Sequence, residues 1–223
     1  MPVSCSVYEL DSTISTSDLL TKLEGGYSHS SSHPEFNDDL LTDVVEVDET
    51  SRGVSCTIRY DAPKQRGARE SESPWYIDVQ RAPVRFTEEY FILLGDHSGR
   101  ARTNTATIID RAPDQYERVN ITAGTIASVV AQDSADEMRG TWQNVDEYTD
   151  SATVSGNVDQ SVIAHDIEQA GGNPTFRQFS SQAYDEQTLG LSKKRDRVTF
   201  WGNDWDHEDI EDYIFEFVLP RTP

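Results

Sequence analysis

The chain has 223 residues, enough for one large domain or two small ones with an ordinary core. Its charge is one-sided: 40 Asp and Glu stand against 19 Lys and Arg, for a net charge of −21. Apolar periodicity recurs from Val3 to Val218, which excludes global disorder, and the acids are spread along the whole chain, which excludes an acidic tail.

Residues 2–9 (PVSCSVYE) alternate and read as a strand. Thr16 or Ser17 can cap a short helix that reaches Glu24 and stops at Gly25-Gly26, before a polar loop over 27–38. Thr42–Asp48 and Gly53–Tyr60 flank ETSR as a β-hairpin. Residues 61–74 form a second loop, rich in Arg. Further strands are expected at Trp75–Gln80 and Val84–Leu94.

The middle changes character. Pro113 opens a helical region in which Ile121, Ile126, Val129 and Val130 share a face, and Ser134–Tyr148 reads as a second helix through Met138, Trp142 and Val145. From 151 the expected order is β-α-β-β-β-α: strand 152–155, helix 158–170, strands 175–184, 188–191 and 197–202, and helix 206–219. In the last helix Asp206 can cap and Asp209 follows three residues on. The expected fold class is α+β, with mixed, largely antiparallel sheets. Its expected parts are a strand-rich lobe 1–110, a helical connector 111–150 and a lobe 151–223. Both lobes share a β-α-β-β-β order, which allows a structural repeat, although no residue-level self-similarity supports one.

The acidity has a physical reading. In molar salt the Debye length falls to about 3 Å, so repulsion among surface acids is screened while their hydration is kept. Lys occurs only at 22, 64, 193 and 194. This composition resembles that of proteins from haloarchaea, their viruses and plasmids; the likeness is to a compositional class and not to a family. Residues 1–25 lack the basic start and apolar stretch of a secretory signal, and no apolar run reaches the length of a membrane span. The expected address is a high-salt cytoplasm, or a virion assembled there. Cys5 and Cys56 have neither CxxC nor Cys/His neighbours and are expected as buried free thiols.

Acids are common in such a chain, so carboxylate clusters are weak signals. The densest, WGNDWDHEDIED, places Asp204, Asp206, His207, Glu208 and Asp209 at a strand-to-helix junction. A divalent cation is conceivable there, against the simpler reading of acids favoured by a helix N-terminus. His29 with His33, and Asp96 with His97, are lesser candidates. No GxSxG, HExxH, Walker loop or GxGxxG occurs, and no catalytic residue is assigned.

The rare cations carry more information. Arg59, Lys64, Arg66 and Arg69 form one cluster, and Lys193, Lys194, Arg195 and Arg197 a second; Arg100, Arg102 and Arg111 make a looser third group. In high salt, phosphate attraction alone cannot hold a complex, so a nucleic-acid site would also need stacking, for which Trp75, Trp201 and Trp205 are candidates. The expectation from sequence is a non-enzymatic interaction or assembly protein that is a subunit of a larger complex, whose partner is a protein or a second copy. The first alternative is a nucleic-acid-binding accessory protein using the basic loops 59–69 and 193–197. The second is a metal-dependent hydrolase or nuclease using 204–209. No membrane partner and no cofactor beyond a possible divalent cation are expected.

Overall fold

In a computed structural model, the described residues are 2–32, 39–65, 75–95, 99–202 and 204–223. They form twelve strands and five α-helices in an α+β fold. In chain order these are β1 (Val3–Leu10), α1 (Thr16–Glu24), β2 (Ser28–Ser31), β3 (Leu40–Glu49), β4 (Val54–Gln65), β5 (Trp75–Phe86), β6 (Tyr90–Leu94) and α2 (Gly99–Ile108). There follow β7 (Tyr116–Arg118), α3 (Ala123–Asp133), β8 (Asp136–Gln143), β9 (Ser151–Ser155), α4 (Val162–Gln169), β10 (Asn173–Ser181), β11 (Gln187–Ser192), β12 (Arg197–Trp201) and α5 (His207–Tyr213). A π-helical turn, Ile214–Val218, continues α5.

The chain divides into two compact units, Val7–Glu117 and Met1–Ser6 with Arg118–Pro223. The segment 111–150, expected as a connector, is shared between them, and β1 contributes its first residues to one unit and its last to the other.

In the Val7–Glu117 unit the strands run in the order β2-β3-β4-β5-β6-β1. Leu19 and Leu23 of α1 and Ala101, Ala106 and Ile108 of α2 join the core of this sheet, where Tyr8 stacks on Phe91 with ring centroids 4.7 Å apart. Ser15 caps α1 by accepting from the Asp18 amide, and Cys56 is buried as a free thiol whose pKa burial pushes up to about 12. β4 and β5 pair continuously from Val54↔Phe86 to Gln65↔Trp75, whereas β6 meets β5 only over Val84–Phe86. Pro83 is therefore tolerated inside β5, because it stands just outside the stretch that β6 pairs. Earlier in β5, Ile77 and Val79 are exposed.

The second unit has the order β1-β12-β11-β10-β8-β9, with antiparallel pairing from β12 to β9. Strand alternation separates its two faces. Phe179, Leu189 and Phe200 lie side by side on the inner face, buried against Trp205, Tyr213 and Tyr184. α3 is fixed to the same face by Asp133, and α4 packs Ala164 and Ile167 with Trp142.

One sequence expectation is overturned here: Ser134–Tyr148 contains strand β8, not a second helix. Ser134 adopts the left-handed conformation (φ 52°) that ends α3, and the chain turns directly into β8. The spacing of Met138, Trp142 and Val145 fits a helix, but pairing with β10 makes 136–143 a strand, and Val145 lies beyond its end. Among the described residues no helix is long and apolar enough to cross a membrane.

Candidate nucleic-acid interface

The outer face of the second unit is built by the residues that alternate with its core. Register places Arg139, Gln178, Gly190, Thr199 and Ser4 in one row across five strands, β8, β10, β11, β12 and β1. The next row holds Thr141, Phe176, Ser192 and Arg197, and Trp201 lies opposite Thr188 on the other side of Gly190. A Cβ on Gly190 would meet Trp201 Cζ3 at 3.0 Å, Phe176 Cε2 at 3.1 Å and the Arg177 carbonyl oxygen at 2.8 Å. The glycine is required because both rings approach the backbone there. The two half-buried rings have centroids 6.5 Å apart and stand at 80° to each other, edge to face.

Ligand pockets ordinarily measure about 300–1,000 Å³; the depression on this face measures about 670 Å³ and is lined from β1 through to β9. Its cations are Arg139, Lys194, Arg195 and Arg197, its rings Phe176 and Trp201, and most of its remaining lining is Ser, Thr and Gln. Among the described residues no carboxylate lines it. In a chain with 40 acids to 19 cations, four cations without an acid in one depression is a sharp local reversal of charge.

The turn that carries Lys194 and Arg195 explains part of this reversal. Its own acid, Asp196, has a left-handed backbone (φ 44°) and its carboxylate accepts from the Ile121 amide at 3.0 Å. The Lys193 amide donates to the Thr175 carbonyl at 2.9 Å, which pins the turn beside Phe176. Lys194 and Arg195 are exposed, and among the described residues no carboxylate pairs with either of them or with Arg139.

The other basic cluster is arranged differently. Arg59 grips Asp43 with two guanidinium nitrogens, and Lys64 is ion-paired with Asp78 across β4 and β5. Each side chain has its basicity raised, first by the hydrogen bond to its carboxylate. Arg66 and Arg69 lie outside the described residues, as do His33, Asp96 and His97. The two basic clusters fall in different compact units. In the looser group, Arg100 donates to the Asp61 carbonyl and Arg111 to the carbonyls of Ser12 and Thr13.

The acids at 204–209 build a helix start. The Asp206 carboxylate accepts from the amides of Glu208 and Asp209, both at 2.8 Å, and Asp209 reaches back to the Asp206 amide at 3.5 Å. Trp205 is buried and donates to the Thr188 carbonyl, which removes it from the stacking candidates. Among the described residues no group of three or more His, Cys, Asp or Glu is placed to hold a metal ion. A smaller cavity of about 370 Å³ on the inner face is bordered by Glu137, Asp159, His165 and Glu168. Buried Arg177 supplies its counter-charge: it pairs with Glu137 at 2.5 Å and with Glu168, and lies 4.1 Å over the Trp142 ring.

Of the sequence candidates, Lys194, Arg195, Arg197 and Trp201 are brought together in one place. Arg139, Phe176 and Gly190 were missed. Arg139 was hidden by the helical reading of its segment, and the pairing of Phe176 with Trp201 depends on strand register. Compared with known proteins, the chain matches no protein-family model and no curated protein.

Proposed function

We propose that the unit containing β8–β12 is a nucleic-acid-binding module whose ligand lies on the open face of the sheet. The observation that carries this reading is the carboxylate-free depression with its four cations and two aromatic rings, in a chain of net charge −21. Phosphates supply the anionic partner and bases the flat surfaces that such rings accept. At low ionic strength the acidic background serves the same end by repelling polyanions from the rest of the surface, an effect that molar salt screens. The salt adaptation read from composition supports the presence of the rings, because charge alone would fail in molar salt.

An interaction or assembly role, the first expectation from sequence, draws support from the exposed Ile77 and Val79 on β5. That surface offers no charge pattern that names a partner, and so the nucleic-acid reading is preferred.

The test is binding of a fluorescently labelled mixed-sequence oligonucleotide, followed by anisotropy over a series of KCl concentrations. Lys194→Glu with Arg195→Glu is expected to weaken binding by at least about tenfold, and by less as salt rises. Charge reversal of Lys64, already neutralised by Asp78, serves as the control and is expected to leave binding unchanged. Wild-type affinity in the double variant would overturn the assignment.

A further inference from the structure

Resting on the nucleic-acid reading, we infer that the open sheet face takes a single strand with unpaired bases and discriminates against a duplex. The shape of the surface and the position of its rings point there. Lys194 and Arg195 sit on the β11–β12 turn, Arg197 opens β12 in the row of Phe176, and Arg139 lies on β8 in the row of Gly190, while Phe176 and Trp201 flank Gly190. A double helix is convex, its bases are covered by stacking, and only an α-helix or a two-stranded ribbon enters its major groove. Laid on this sheet, it would touch the cations of the turn with its phosphates and leave the rings without a partner. A single strand meets both sets of groups at once, with its backbone at the cations and a base against a ring.

Gly190 adds an independent argument. Ordinary β-propensity disfavours glycine within a strand, and the residue is kept where a ring or a ligand must approach the backbone. Here it lets both rings lie low against the sheet, so the floor of the depression is aromatic and its depth is preserved for a planar ligand. The chemistry selects no particular base, since every base has a π-face, and the hydroxyls of Ser4 with Thr199 are already bonded to each other at 3.0 Å. Single strands of either sugar are therefore the ligand class.

The probes are a ribo- and a deoxyribo-oligomer of about eight nucleotides, within the roughly 4–16 that one such surface covers, and the duplex of the same sequence. The expected result is that at least one single strand binds at least about tenfold more tightly than the duplex. With four cations engaged, log K should fall against log salt with a slope of about −3. Trp201→Ala should weaken single-strand binding by about tenfold and leave that slope unchanged, whereas Lys194→Glu should flatten it. Should Trp201→Ala fail to fold, Phe176→Leu carries the same expectation, and Trp201→Phe, which keeps a ring, should retain most of the affinity. Equal or tighter binding of the duplex, or single-strand affinity unmoved by both Trp201→Ala and Phe176→Leu, would overturn this inference and leave the nucleic-acid reading in place. A wild-type chain that binds none of the three probes would overturn both.

Discussion

Asp133 shows how much of this fold rests on single side chains. It ends α3, is 3 % exposed, and its carboxylate accepts from the Tyr213 hydroxyl at 2.8 Å, the Ser181 hydroxyl at 2.9 Å and the Ala183 amide at 3.0 Å. One carboxylate thus joins α3, the end of β10 and α5 on the inner face. Burial, and then the Asp133 charge, hold the Tyr213 phenol well above its usual range, so it stays a hydrogen-bond donor at any physiological pH. Asp133→Ala leaves buried donors without an acceptor, at about 1–3 kcal/mol each, and should cost on the order of 3 kcal/mol or more in urea unfolding. A loss below about 1 kcal/mol would show that water replaces the carboxylate. None of this was legible in the sequence, because the partners lie 48, 50 and 80 positions away and Asp is common throughout the chain.

At the scale of elements, legibility followed the strength of local signals. The order β9-α4-β10-β11-β12-α5 and the Asp206–Asp209 capping box could be read directly, because capping residues and period-two alternation are local. β8 could not, since its residues take their roles from β10: Gly140 must lack a Cβ because Trp142 and Arg177 Nη1 would lie within 2.5–2.6 Å of it. β5 was split at Pro83 for a similar reason, as only the limited extent of β6 makes proline acceptable there. The cluster joining β8, β10 and α4 yields a pH prediction. Burial raises the pKa of Glu137 above the usual carboxylate range, and the Arg177 charge opposes this only in part. A carboxyl whose folded pKa is raised binds its proton more tightly in the folded state. Its contribution is therefore fully present below the ordinary Glu pKa and is lost as pH rises through the raised value. Glu137→Gln should flatten the fall in melting temperature as pH rises above the ordinary Glu pKa of about 4.3; an unchanged profile would place the titration elsewhere.

For the whole molecule the governing quantity is the net charge of −21. In dilute buffer the like charges repel across the compact chain. At about 1 M salt the Debye length is about 3 Å and that repulsion is screened. The melting temperature should therefore rise steadily as KCl is increased from dilute buffer to molar concentrations, as followed by circular dichroism. A flat or falling curve would sink the salt-adapted reading of the composition. Net charge was legible from the sequence, but where the charge reverses was not. The depression is assembled from residues between Pro2 and Trp201, and only strand order brings them together.

That strand order also sets a schedule. Ser4 and Thr199, paired across β1 and β12, are 195 positions apart, so β1 can meet β12 only after the intervening chain has been made, although it meets β6 and β7 sooner. Residues Val7–Glu117 can collapse while the rest is still being synthesised, but the open sheet face cannot. Its cations and rings come into register only after β12 has emerged. A chain that has not yet added β12 would therefore lack this surface altogether.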